Sequence, residues 1–157
     1  MADAINTVTM ERTFQAPREL VFKAWTDPQL VAQWWGPNGV TNPTCEWEAK
    51  PGGKIHIIML AGPELGPMAG QEWPMTGVME DVTPPEKLVF TANAIADDKV
   101  ILENRTTVTF AIEGDTTKLT VQVTVTSVAP AGQFALQGMD IGWNQQLDKL
   151  VNFIAVR

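Results

Sequence analysis

The stretch that most constrains the fold is Arg12 to Pro37, R-T-F-Q-A-P-R-E-L-V-F-K-A-W-T-D-P-Q-L-V-A-Q-W-W-G-P. It reads as the end of a strand, a short helix, a tight break and a second short helix. Pro17 suits a first helical position, and Leu20, Val21, Ala24 and Trp25 then recur at helical spacing. Asp27 can cap a restart that Pro28 pre-sets, Leu30, Val31, Trp34 and Trp35 form the next apolar face, and Gly36-Pro37 stops it. Helices this short cannot bury their apolar faces on each other, so a larger surface must receive them.

Strands supply that surface. Val8, Met10 and Phe14 alternate with threonines over about residues 6–15. Thr41–Ala49 puts Cys45, Trp47 and Ala49 on one side and Glu46 and Glu48 on the other. Pro51-Gly52-Gly53 reads as a hairpin turn into Lys54–Leu60, with Ile55, Ile57 and Met59 on one face and Lys54, His56 and Ile58 on the other. Residues 61–71 are a Gly/Pro-rich loop, a mouth or lid by composition. Strands follow at Trp73–Val82, Leu88–Ala94, Asn104–Glu113 and Thr117–Thr126, with Thr83-Pro84-Pro85-Glu86 and Gly114-Asp115 as turns. Val108, Phe110 and Ile112 should face Leu119, Val121 and Val123, with threonines on the wet side. From Pro130 a helix of about 26 residues carries Leu136, Met139, Trp143, Leu147, Leu150 and Ile154 as one stripe, with Gly138 and Gly142 on or beside it for a bend or a close contact.

The fold class expected is α+β. A curved antiparallel sheet of six or seven strands wraps a long C-terminal helix, and the two short helices close one end. Neither an internal repeat nor a dividing linker is visible, so residues 1–157 read as a single domain. The net charge of -7 argues against nucleic acid and anionic membrane surfaces. The absence of a signal pattern or a long apolar run, and a single Cys45, fit a cytoplasmic protein with no membrane insertion.

These pieces resemble a known family. A-P-R-E-L-V-F-K-A-W-T-D-P at 16–28, Q-W-W-G-P at 33–37, K-P-G-G-K at 50–54, Gly62-Pro63, G-V-M-E-D-V-T-P-P-E-K-L-V-F-T at 77–91 and G-W-N-Q-Q-L-D-K-L at 142–150 carry the likeness. They are similar to the START-like, helix-grip superfamily (SRPBCC). Within it they resemble the bacterial single-domain branch related to the C-terminal domain of the activator of the 90-kDa heat-shock chaperone ATPase. The resemblance implies a cavity between the concave sheet face and the long helix. It also implies a repertoire of lipids, hormones, polyketides and antibiotics as ligands, cyclase activity in some members, and a chaperone partner by analogy.

Strand parity and the helix stripe then nominate lining residues for an apolar ligand: Trp47, Ile57, Met59, Trp73, Met75 and Phe90 from strands, with Met139 and Trp143 from the helix. The chain is read as a binder more readily than as an enzyme. Glu80 and Asp140 are the weak candidates for a cavity acid or base, since a carboxyl held in an apolar site has a raised pKa. The lone His56 falls on the outward side, and Cys45 packs inward as a small hydrophobe. Neither a Cys/His cluster nor a phosphate-cradling loop is present, so neither metal nor organic cofactor is expected. A homodimer is one arrangement open to such a chain.

Overall fold

The computed structural model describes residues 6–155. Seven strands, β1 (Asn6–Phe14), β2 (Val40–Trp47), β3 (Lys54–Ala61), β4 (Glu72–Thr83), β5 (Lys87–Ala96), β6 (Lys99–Glu113) and β7 (Thr116–Val128), form one sheet. Its order is β1-β7-β6-β5-β4-β3-β2 and every pairing is antiparallel. Helices α1 (Arg18–Ala24) and α2 (Pro28–Trp34) carry the chain from one edge strand, β1, to the other, β2. A 3-10 turn at Pro130–Gly132 leads into α3 (Gln133–Ala155). This is the helix-grip architecture, and the seven strands reach the upper figure expected.

Local chemistry sets the short helices. Pro17 holds extended backbone ahead of α1. Asp27 caps α2, its carboxylate accepting the Gln29 N–H at 2.9 Å, and Pro28 occupies the first position. Gly36 then turns the chain with φ of 90°, where a Cβ would strike Val40 and crowd Met59. Gly77 on β4 has a different reason, because its missing Cβ lets the β5 backbone at Thr91 come close where the sheet bends.

The sequence reading needs three corrections. First, residues 95–103 are not a gap: β5 runs to Ala96 and β6 starts at Lys99, joined through Asp97 and Asp98 at φ of 51° and 62°. Aspartate tolerates that left-handed conformation, so this hairpin lacks the glycine that would have revealed it. Second, Ile112 is 61% exposed beside the β6–β7 turn, and Leu119 and Val121 face Phe110 and Val108 while Val123 faces Thr106. Thr106 and Thr117, in parity with the apolar residues of their strands, lie on the buried face; the Thr117 hydroxyl is satisfied by donating to the Ala16 carbonyl at 2.7 Å. Third, Gly138 and Gly142 serve no close contact, since open space surrounds the position of a Cβ at each.

Three polar clamps hold α3. Gln146 accepts the Gly36 N–H at 2.7 Å and Gln145 accepts the Asn38 N–H at 3.0 Å. Lys149 donates to the carbonyls of Trp35 and Pro37 at 3.4 and 3.3 Å, and its half-burial lowers its pKa. On the opposite side Arg12 reaches Asn144 Oδ1 at 2.8 Å and Asp148 at 3.1 Å. All of these clamps fall on the second half of the helix. Leu147, Leu150 and Ile154 are buried there, whereas Leu136, Met139 and Trp143 are only half-buried. The expected stripe is therefore real but unevenly sealed.

Cys45 packs below α2, its Sγ 3.6 Å from the Pro28 carbonyl. Burial pushes its thiol up to about 11.

Leu147→Ala should cost about 2–5 kcal/mol in denaturant unfolding, because it opens a cavity in a sealed site. Leu136→Ala should cost well under half of that, and equal losses would refute the asymmetry along α3. At pH 8 a thiol with pKa about 11 holds only about 10⁻³ of its population as thiolate, so disulfide-exchange labelling of native Cys45 should run roughly a hundredfold or more below the guanidinium-unfolded rate. Similar rates in the two states would count against the burial of Cys45.

Candidate functional site

The centre of the space between sheet and helix is filled by rings. Trp25 packs edge-on against Trp34 with centroids 4.6 Å apart, and lies parallel to Trp143 at 6.5 Å. Trp35 touches Trp47 at 5.2 Å and Trp143 at 5.6 Å. Phe90 meets Trp47 at 5.0 Å. The Trp47 indole N–H donates to the Trp25 carbonyl at 2.7 Å, and the Trp34 indole N–H to the Ala24 carbonyl at 3.0 Å. Two adjacent carbonyls at the end of α1 thus tie it to α2 and to β2 through indole N–H groups that would otherwise be unsatisfied in the core.

This geometry divides the eight lining residues. Ile57 and Phe90 have no accessible surface and Trp47 almost none. A residue bordering a space wide enough for water would keep some, so these three build the packed core and border no opening. That corrects the expectation that Trp47, Ile57 and Phe90 line a cavity. Met75 is buried with a trace of surface, while Met59, Trp73, Met139 and Trp143 are half-buried. Met75 and Trp73 belong to the start of β4, Met59 to the end of β3, and Met139 and Trp143 to the first half of α3. The antiparallel order brings those strand termini to one end of the sheet. The start of β6 and the end of β7 lie there too, where Gly132 packs on Ile101 and Val128 just before α3 begins.

On the sheet side, two residues of the inner face keep accessible surface toward this end. Ala94 pairs with Met75 and Leu102. Asn104 pairs with Ala92 and Val125. Along its own strand Asn104 lies between Leu102 and Thr106 on the same face, and all four of these neighbours are buried while Asn104 is not. Its free surface therefore looks away from the sheet, toward the side that α3 covers. This end thus carries the small Ala94 and the half-buried amide of Asn104 on the sheet, and half-buried methionine and indole side chains on β3, β4 and α3. Sequence reasoning missed Asn104 and Thr106. The signal was present, since both fall in parity with Val108 and Phe110.

The carboxylate candidates lie elsewhere. Glu80 is exposed and pairs with Arg105 at 2.8 Å. Asp140 is exposed and accepts from Asn144 at 2.9 Å. His56 is on the outward face as expected, 3.2 Å from Glu46, and that hydrogen bond, with help from Lys54, lowers the Glu46 pKa. Among the described residues no group of three or more His, Cys, Asp and Glu side chains could hold a metal ion, and no helix is long and apolar enough to cross a membrane.

The loop after β3 forms two short 3-10 turns within Pro63–Met68, separated by a kink at Gly66, whose φ is 58°. It is tied down by Gly62 N–H to the Gly39 carbonyl at 2.7 Å and Gly70 N–H to the Ala61 carbonyl at 2.8 Å. Beside it an open, mostly apolar depression of about 710 Å³ runs between Val40, Leu60, Pro63 and Ala69. Those ties fix the loop as a rim at the edge of the sheet.

Comparison with known proteins agrees with this architecture. A protein from Chromobacterium violaceum is 26% identical, with TM-score 0.76 over 95% of this chain and 96% of that one. A Silicibacter pomeroyi protein titled AHSA1 is 23% identical, with TM-score 0.79 over 96% of this chain and 99% of that one. One from Nitrosomonas europaea is 20% identical, with TM-score 0.76 over 98% and 96%. At these identities the last two speak for the fold alone. No curated protein is significantly similar to the chain. The family model described as "Activator of Hsp90 ATPase homolog 1-like protein" matches residues 15–155, and with nearly its whole length so matched, the chain belongs to that family.

Proposed function

We propose that this protein binds an apolar small molecule in a hollow between the first half of α3 and the sheet beneath it. The observation that carries the reading is the uneven sealing of α3. Its second half is clamped and buried, whereas Leu136, Met139 and Trp143 keep accessible surface, as do Ala94 and Asn104 on the inner face of the sheet. Apolar surface left partly wet at one end of an otherwise dense core gains about 25 cal/mol for each Å² that a ligand covers, before association costs. Met59, Met75 and Met139 suit a ligand of variable shape, because thioethers repack. With Glu80 and Asp140 both turned to solvent, an acid-base role in the hollow has no carboxylate to carry it.

The direct test is a panel of fatty acids, sterols, flavonoids and polyketides, read by tryptophan emission and melting temperature. A true ligand at a hundred times its Kd stabilises by about 2.7 kcal/mol, or roughly 5–10 °C for a chain of this size. Ala94→Phe, which places a ring on the floor, should abolish that shift while leaving cooperative melting. Unchanged emission and melting across the whole panel would defeat the reading.

One observation favours a second reading. Phe134 and Ile141, 76% and 65% exposed, lie on the outer side of α3. Exposed apolar side chains of this kind can dock on a protein, and the family description names an ATPase activator. On this reading the protein raises steady-state ATP hydrolysis by a bacterial 90-kDa chaperone, and the Phe134→Ser, Ile141→Ser double variant loses the effect. No stimulation by the unaltered protein would dismiss it.

A further inference from the structure

We infer that Asn38-Gly39 is a self-modification site, where conversion of Asn38 to isoaspartate loosens the grip of the α2–β2 turn on α3. Asn38 is the only asparagine followed by glycine. Every other asparagine lies within a strand or α3, where the backbone is held in a regular conformation. Asn38 sits instead in the turn between α2 and β2, and its side chain is exposed. Among the described residues no group holds that side chain, and the Gly39 N–H meets no acceptor. Glycine adds no side chain to obstruct its own nitrogen. An unbonded carboxamide and an unbonded peptide nitrogen thus stand next to each other in the chain, one ring closure apart.

The chemistry is ring closure followed by hydrolysis. The Gly39 nitrogen attacks Asn38 Cγ. The N–Cγ bond forms, the Cγ–Nδ2 bond breaks, and ammonia leaves with the proton that Gly39 gives up. Water then opens the succinimide. Opening at Cγ leaves aspartate and the original backbone. Opening at the backbone carbonyl leaves isoaspartate, in which the chain runs through Cβ and Cγ and is one carbon longer. The position of that carbon gives the change its consequence. Before it, the Asn38 N–H donates to Gln145 at 3.0 Å, the Gly36 N–H to Gln146, and Lys149 to the carbonyls of Trp35 and Pro37. After it, the Gly39 carbonyl accepts the Gly62 N–H at 2.7 Å and Val40 pairs with Ala61. The inserted carbon falls between two anchors on adjacent residues, so both cannot keep their geometry. The exposed bond from Asn38 to Gln145 yields first, because water replaces it and the other anchor continues a strand ladder. Aspartate at position 38 leaves both anchors as they are.

Ageing of the native protein at pH 8 should convert Asn38 at least about tenfold faster than any other asparagine. The rate should rise with pH, since attack needs the Gly39 nitrogen deprotonated. Peptide mapping with electron-transfer fragmentation reads the position and tells isoaspartate from aspartate. The comparison that isolates the inserted carbon is with Asn38→Asp, which has the charge of the aged protein and the original backbone. Aged protein should melt about 2–4 °C below that variant. Amide exchange over residues 145–150 of α3 should be about fivefold faster in it. Asn38→Ser, aged alongside, should keep its melting temperature. Both variants retain the clamps, because the Asn38 side chain takes part in none of them. Conversion of Asn38 no faster than that of other asparagines would overturn the site. Isoaspartate formation with melting and exchange equal to Asn38→Asp would overturn its effect on α3. A loss on ageing Asn38→Ser as large as in the unaltered protein would overturn the link to Asn38.

Discussion

The Trp25 backbone carbonyl and the indole of Trp47 meet at 2.7 Å inside a cluster of aromatic rings. That contact joins the α1–α2 segment to β2, the far edge of the sheet from β1 where the segment began. Without it, two helices of seven residues each would have little reason to hold their angle. With it, Trp25, Trp34 and Trp35 become a platform on which α3 rests through Trp143. A bonded indole in a low-dielectric core is expensive to disturb, since breaking the bond strands both a donor and a carbonyl.

That platform also decides where space can exist. Aromatic rings with centroids 5.0 to 6.3 Å apart leave no room for a guest among Trp35, Trp47 and Phe90. Openness is displaced toward the start of α3, where Met139 and Leu136 replace rings and Ala92 and Ala94 replace bulky strand residues. The polar clamps reinforce this, because Gln145, Gln146 and Lys149 bind the Trp35–Asn38 turn and so tether only the second half of the helix. An element fixed at one end and less packed at the other is where local opening is cheapest. The exposure left along the first half of α3 and the dense aromatic core are in this way two results of the same packing.

Most of the frame was legible in the chain. Pro17, the Asp27-Pro28 restart and Gly36-Pro37 located both short helices, since caps and prolines act over a few residues. Period-two alternation located most strands, and the three-four spacing found the α3 stripe. The Asp97-Asp98 hairpin escaped because its turn uses a conformation that aspartate only tolerates. Thr106 and Thr117 went unremarked, since their hydroxyls suit the wet side, whereas strand parity, and for Thr117 a carbonyl waiting at Ala16, place them inside.

The sequence by itself determined the elements, their order and which faces are apolar, because those follow from interactions between residues a few positions apart. It also carried the family likeness, whose motifs lie along nearly the whole chain. Which apolar residues fill the core and which border a space was decided only by the tertiary structure. Trp47 and Trp73 look alike as strand tryptophans, yet one is sealed by Trp35, Phe90 and the Trp25 carbonyl while the other stays half-open at the sheet's end. The fate of Asn104 was settled in the same way. Its strand parity puts it on the inner face, but only the packed structure leaves it half-buried between the buried Ala92 and Val125, with Oδ1 accepting the Thr106 hydroxyl at 3.3 Å. Parity is a property of one strand, whereas free volume is what remains after all seven strands and three helices have been placed.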